Sequence, residues 1–346
     1  MKAKGYAALT AKAPLTSYEF NRRDVGEHDV ALDIKFAGIC HSDIHQAREE
    51  WGKAIFPMVP GHEIAGIVTA IGSKVSKFKV GDKIGVGVFV DSCRKCDACV
   101  AGLQQYCAEG MTGTYNQLER DGKTPAMGGY TDIFVINEDY AVHIPENLPL
   151  EGVAPLLCAG ITLYSPLKNW KAGPGKKVGI MGLGGLGHMG VKFAHALGAE
   201  VTIFSHSPNK EGDALAMGAD HFVATHDINA LKELKTSFDL IINTVSAELD
   251  INLYLELVKL DGTLVIIGLP GKPYSVNAGA LLQKRRSLAG SQIGGIPQMQ
   301  EMLNFCGENN IVSDVEVIEA SYINQAYERT VASDVKYRFV IDASTF

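Results

Sequence analysis

The chain has 346 residues, 46% hydrophobic and 21% charged, a balance typical of soluble globular proteins that excludes both a disordered chain and a membrane-embedded one. With 32 Lys and Arg against 39 Asp and Glu the net charge is -7, so nothing draws the chain to phosphate backbones or anionic lipid, and neither nucleic acid nor a membrane is an expected partner. At roughly 150 residues per domain, this length predicts about two domains.

Near the N-terminus Lys12 interrupts what would have to be the apolar core of a signal peptide. The longest uncharged stretch, Gly152–Leu167, carries Pro155 and Pro166 and is too short to span a bilayer. The expected compartment is therefore the cytoplasm. Up to about residue 150 the chain reads as β-rich. Val30, Leu32, Ile34 and Phe36 alternate with Ala31, Asp33 and Lys35, which predicts a half-buried strand with one wet face. Ile64–Ile71 and Ile84–Val90 are further strand-like runs, punctuated by Gly61, Gly66, Gly72, Gly81, Gly85 and Gly87, as a strongly bent sheet or small barrel requires.

The texture changes near residue 150. Val178–Met181 reads as a strand, Gly182–Gly187 as a loop, the following residues to about Leu197 as a helix stopped by Gly198, and Val201–Phe204 as a second strand. That is a βαβ unit. Helical Asn209–Met217 and the apolar runs His221–Ala224, Leu240–Val245 and Leu264–Gly268 continue the alternation, which implies a parallel sheet covered on both faces. The tail predicts a helix over Pro297–Asn309 with Cys306 as a core thiol, a strand at Val315–Ile318, a helix near Ile323–Val331 and a closing strand at Arg338–Ile341.

Seven cysteines, an odd number with four of them between Cys93 and Cys107, do not form a secreted disulfide framework. Cys93, Cys96, Cys99 and Cys107 are four soft ligands on one loop, able to wrap a tetrahedral zinc at about 2.3 Å per sulfur and leaving it no open position. Such an ion holds the loop together without performing chemistry. An iron–sulfur cluster takes the same four thiols, and a redox Cys-x-x-Cys pair is the simpler alternative. A second constellation is dispersed: Cys40, His62 and Cys158 would make the Cys2His set of a catalytic zinc with a vacant fourth position, if the fold brings them together. Taken singly, His62 reads equally as a satisfied core histidine, and Cys158, beside Leu156, Leu157 and Ala159, as a small buried hydrophobe.

Gly182-Leu183-Gly184-Gly185-Leu186-Gly187 matches G-x-G-x-x-G directly after a strand and at the opening of a helix, the context that gives this motif meaning. The glycines allow a sharp turn and close approach of a pyrophosphate to the helix N-terminus, so a dinucleotide is expected. At the end of the second strand an NAD site carries an acid for the ribose 2′-hydroxyl; here Ser205 stands there, with Ser207 and Lys210 nearby. Two hydroxyls and an ammonium suit a 2′-phosphate that a carboxylate would repel, which predicts NADP(H); Ser207-Pro208 equally reads as a helix cap.

In this combination the sequence resembles the zinc-dependent medium-chain alcohol dehydrogenases, and within them the cinnamyl-alcohol-dehydrogenase-like aldehyde reductases. The likeness lies in Gly38–Gln46, in Phe56–Glu63, in the four-cysteine lobe, in Pro155–Thr162 and in Gly182–Gly187, and so runs over nearly the whole chain. It implies an α/β subunit of two domains: a GroES-like β-rich catalytic domain made from residues 1–150 and 289–346, and a doubly wound Rossmann domain of residues 151–288 that binds NADP(H). It further implies one catalytic and one structural zinc, with Cys40, His62 and Cys158 holding the catalytic ion, Glu63 as alternate ligand and Asp43 orienting His62. Ser42 and His45 would relay the proton. His41 and Arg338 would contact the pyrophosphate, and Thr162, Gly268, Ser291 and Ile293 the nicotinamide end. Trp51 would line the substrate channel. The resemblance implies hydride transfer between nicotinamide C4 and a primary alcohol or aldehyde, aromatic or medium-chain, in a homodimer or homotetramer. A zinc polyol dehydrogenase is the rival enzyme, although it more typically has Glu at the place of Cys158 and an acid at that of Ser205. A catalytically silent, crystallin-like NADPH binder is the rival of another class.

Overall fold

A computed structural model describes all 346 residues, Met1–Phe346. The chain forms two compact units, one of Met1–Ile161 with Gly294–Phe346 and the other of Thr162–Ile293. Both dividing lines fall later in the chain than 150 and 288. Leu150–Val153 and Ala154–Leu157 pack on the strand Asp29–Gly38 of the first unit. Ser287–Gly290 is a strand of the second unit's sheet, and Ser291 N–H donates to the carbonyl of Ile266 at 3.2 Å, which keeps residues up to Ile293 with that unit.

The first unit is built on a seven-stranded sheet in the order Val315–Ile318, Arg338–Asp342, Asp29–Gly38, Ile64–Ile71, Lys83–Val86 and Val142–His143, with Ile133–Asn137 also on Asp29–Gly38. The tail thus returns to the N-terminal unit, Arg338–Asp342 pairing antiparallel with Phe36–Gly38. Because Asp29–Gly38 is central, its first half has no wet face: Val30, Ala31 and Leu32 are all at most 1% exposed, and the expected alternation reaches solvent only at Asp33 and Lys35. The run expected over Ile84–Val90 is broken, since Phe89–Asp91 leaves the sheet to pair with Thr112–Gly113. Beneath the segments that carry Cys40 and His62 lies one apolar cluster, in which Ile39, Ile44, Val59, Tyr130, Ile323, Ala326, Tyr327 and Phe339 meet. At about 1.5–3 kcal/mol for each large side chain fully removed from water, this cluster supplies the rigidity the site needs. Cys306 is fully buried, as expected of a core thiol.

The second unit is a six-stranded, all-parallel sheet in the order His221–Ala224, Glu200–Ser205, Lys177–Met181, Phe238–Asn243, Val258–Ile266 and Ser287–Gly290. Strand order reverses between Lys177–Met181 and Phe238–Asn243, and open α/β sheets take ligands in the crevice beyond the carboxyl ends at that point. The helix expected over Asn209–Met217 begins as a 3-10 turn, Pro208–Lys210, before Glu211–Ala216. No single helix in the chain is long and apolar enough to cross a membrane.

Candidate active site

Cys40 closes the loop after Asp29–Gly38, His62 and Glu63 precede the strand Ile64–Ile71, and Cys158 sits between the turn Ala154–Leu157 and the helix Ala159–Asn169. Folding brings the ligand atoms of all four within 4.8 Å of one another, with the Cys40 and Cys158 sulfurs 4.0 Å apart. All are buried. Asp43, with no exposed surface, faces His62 Nδ1 at 3.0 Å, which turns Nε2 toward the sulfurs. His62 Nε2 and Glu63 Oε2 are buried without a hydrogen-bond partner. Each such orphan costs about 1–3 kcal/mol, and a cation seated among two thiols, an imidazole and a carboxylate would satisfy both; the donor set is that of zinc.

The electrostatics are tuned to one another. The hydrogen bond with Cys158, then the neighbouring His62, hold the Cys40 thiol well below its usual range, and the same bond pushes Cys158 up. Burial would strip His62 of its proton, but the charge and hydrogen bond of Asp43 outweigh it and raise His62 well above normal. Burial pushes Glu63 up to about 8, against the pull of Arg338. Arg338 is itself buried; one guanidinium nitrogen donates to Glu63 and to the carbonyl of Ile39, the latter at 2.8 Å. Burial disfavours its charge, and Glu63 and the two cysteines more than restore it.

Ser42 and His45 lie on the helix His41–Ala47, with Ser42 Oγ 3.6 Å from Cys40 Sγ. His41, whose proton affinity burial lowers, is 6.1 Å from His45, ring to ring. His45 Nδ1 is 2.5 Å from Glu50 Oε2, and Trp51, 46% exposed, stacks on the His45 ring at 4.7 Å. Trp51 therefore touches His45, a contact that its place in the sequence does not disclose.

Cys93, Cys96, Cys99 and Cys107 also bring their sulfurs within 4.8 Å of one another. Backbone N–H groups approach three of them: Cys93 N to Cys107 Sγ at 3.3 Å, Cys96 N to Cys93 Sγ at 3.4 Å and Ala108 N to Cys96 Sγ at 3.4 Å. The Ala108 and Cys99 N–H groups hold Cys96 down to about 6, while burial pushes Cys99 up to about 11. The site is closed by sulfur on every side, which fits an ion that ties the loop.

In the second unit Gly182 adopts φ +88°, and a Cβ on Gly187 would stand 1.9 Å from the Gly182 carbonyl, so this turn admits glycine alone. A Cβ on Gly184 would meet nothing, leaving its backbone open to a ligand at the start of the helix Gly187–Ala196; Gly185 and Leu186 complete the loop. Ser205 ends the strand Glu200–Ser205, and its Oγ accepts the Ser207 N–H at 3.2 Å. Ser207 Oγ lies 3.2 Å from His206 Nδ1 and caps nothing. Lys210 Nζ donates to the Leu183 carbonyl at 2.9 Å, which places its ammonium against the glycine loop. Gly268 and Ser291 follow neighbouring strands at the same carboxyl edge, and Thr162 and Ile293, both buried, are the unit's end residues.

Residues 26–146 match the alcohol dehydrogenase GroES-like domain, and residues 185–308 the zinc-binding dehydrogenase domain. The NADP-dependent alcohol dehydrogenase C 1 of Mycolicibacterium smegmatis is 59% identical over 341 residues, 98% of this chain and 97% of that protein. The chain belongs to the zinc-binding alcohol dehydrogenases. Among solved structures, a cinnamyl alcohol dehydrogenase of Sorghum bicolor superposes with a TM-score of 0.96 at 44% identity, over 99% of this chain and 98% of the other. The cinnamyl alcohol dehydrogenase of Helicobacter pylori, complexed with NADP(H), does so with a TM-score of 0.93 at 42% identity over 99% of each chain.

In this alcohol dehydrogenase, sequence reading missed three side chains of the site. Glu50 could have been noticed as an acid one turn past His45. Tyr115, buried and stacked on the His62 ring at 5.8 Å and 17°, and Tyr130, whose hydroxyl reaches Asp43 at 3.0 Å, left no local signal.

Proposed function

We propose that the protein transfers hydride between NADP(H) and a primary alcohol or aldehyde, with Cys40, His62 and Cys158 as ligands of a catalytic zinc and Cys93, Cys96, Cys99 and Cys107 as ligands of a structural one. The convergence of three distant segments around two orphaned polar atoms carries this reading. Bound at their sites, zinc supplies Lewis acidity toward the substrate oxygen and the nicotinamide supplies the hydride. Asp43 sets the tautomer of His62 by accepting from Nδ1, so that Nε2 is the ligand atom. Glu63 serves as the alternate ligand, held ready by Arg338. Ser42 exchanges the substrate's hydroxyl proton, and His45 passes it toward solvent. With Nδ1 committed to Glu50, the His45 nitrogen left to exchange is Nε2. Within the second unit the glycine loop, Ser205, Ser207 and Lys210 hold the phosphates, and Thr162, Gly268, Ser291 and Ile293 frame the nicotinamide.

Cys158 in place of a glutamate and Ser205 in place of an acid speak against the polyol dehydrogenase reading, and the complete ligand and relay set speaks against a silent NADPH binder. Exposed Trp51 beside His45 favours aromatic or medium-chain aldehydes. The outer strand Ser287–Gly290 leaves one edge of its sheet unpaired and supports a homodimer, or a homotetramer built from it. A reducing cytoplasm is the compartment in which seven free cysteines persist.

Metal analysis of purified protein is expected to find two zinc ions per chain, one for each ligand cluster. NADPH-dependent reduction of benzaldehyde or cinnamaldehyde should be lost with a chelator and restored by zinc. Full turnover in metal-free protein would overturn the assignment. Ser205→Asp is expected to shift the NADPH-to-NADH affinity ratio toward NADH by about 30- to 150-fold, the equivalent of about 2–3 kcal/mol for one charge-assisted hydrogen bond. An unchanged ratio of dissociation constants, measured by fluorescence titration, would remove Ser205 from cofactor selection.

A further inference from the structure

We infer that Tyr130 is a positioning residue of the metal centre, acting through Asp43; this rests on the zinc reading above. Asp43 is fully buried, and besides the Tyr115 hydroxyl its carboxylate meets four donors, two on each oxygen. Oδ1 faces Gly61 N at 3.1 Å and His62 Nδ1 at 3.0 Å; Oδ2 faces Cys40 N at 2.9 Å and the Tyr130 hydroxyl at 3.0 Å. One carboxylate therefore joins the two segments that carry Cys40 and His62, and its rotation decides where Cys40 Sγ and His62 Nε2 stand relative to each other. The Asp χ2 torsion is soft, so the plane of the carboxylate is set by its donors. Three of those donors belong to the ligand segments themselves and would move with them. Tyr130 lies outside them, as does Tyr115, which also hydrogen-bonds Asp43 but moves with the His62 ring it stacks on.

Its own placement is rigid. Tyr130 is fully buried, its N–H donates to the Pro60 carbonyl at 3.0 Å, and its carbonyl accepts the Tyr6 N–H at 2.9 Å. Its ring lies under Gly61, where φ is +103° and a Cβ would come within 2.5 Å of the ring. A single aromatic residue thus supports the His62 loop by contact and aims the Asp43 carboxylate by hydrogen bond, with little rotamer freedom to lose on doing so. Tyr327, edge-on to Tyr130 at 6.5 Å, is buried and shares the cluster but not the bond to Asp43.

The test uses holoenzyme with both metals bound, releasing them to a chromogenic chelator. In Tyr130→Phe, which keeps the ring, release from the Cys40 site should accelerate about 3- to 10-fold, up to the low end of the roughly 10- to 100-fold range for groups bonded directly to a metal ligand, since Tyr130 acts one bond further out. Release from the four-cysteine site should not change, and the visible spectrum of the protein with Co2+ in the Cys40 site should shift. Tyr327→Phe should alter neither rate. Equal release rates in Tyr130→Phe and parent would overturn the inference, as would an equal acceleration in Tyr327→Phe, which would trace the effect to packing. A parent protein that binds metal at the four-cysteine site alone would instead overturn the zinc reading.

Discussion

Replacing Cys158 with alanine is expected to remove turnover, lowering kcat/KM by roughly a thousand-fold or more, since several kcal/mol of charge stabilisation at the reacting oxygen depend on the metal. The Cys158 sulfur is 4.0 Å from that of Cys40, and without it the remaining ligands offer one thiol, one imidazole and a carboxylate already paired with Arg338. The variant should hold one zinc per chain and bind NADPH as the parent does, because the glycine loop belongs to the other folded unit. The substitution itself leaves a small gap among Leu156, Leu157 and Ala159, all fully buried, so the fold should survive. Metal content, NADPH titration and steady-state rates measured on one preparation decide the matter. Undiminished turnover would exclude Cys158 as a ligand.

Cys99→Ala is expected to act on folding instead. Cys99 is buried, its sulfur 3.8 Å from that of Cys93, and its thiol donates to Ser92 Oγ at 3.1 Å, which in turn contacts the Tyr140 hydroxyl at 2.7 Å. The lobe from Cys93 to Cys107 has only two short helical turns of its own, Asp97–Val100 and Gln104–Tyr106, so the ion supplies much of what orders it. Losing one of four ligands should lower soluble yield and drop Tm by about 10 °C or more. The kcat of the surviving soluble protein should stay close to that of the parent. Equal yield and Tm would contradict a structural metal at this loop. The two cysteine variants therefore separate the clusters by their readouts, one by rate and the other by stability.

How much of this was legible before folding depended on the distance along the chain over which each feature is encoded. The four-cysteine lobe and the glycine loop are local, and their spacing alone announced a closed metal site and a dinucleotide turn. The periodicity of Lys177–Ile266 likewise announced a parallel sheet. Cys40, His62 and Cys158 were legible only as a set, through resemblance, because the residues between them carry no trace of the 4.8 Å at which their ligand atoms meet. The wet face expected of Asp29–Gly38 failed at Ala31 for a related reason: polarity pattern describes one strand, whereas burial depends on what the rest of the chain lays over it.

Composition, local spacing and hydrophobic period determined the fold class, the four-cysteine metal site and the dinucleotide loop, since these are written in local patterns of the chain, whereas the Cys40–His62–Cys158 set waited on folding. Only the tertiary structure decided what surrounds those groups. It set Arg338 on Glu63 across 275 residues and Tyr130 on Asp43 across 87, and it turned Glu50 and Trp51 onto His45. A buried charge must find its partner wherever the packed core places one, and that choice is made in space, not along the sequence.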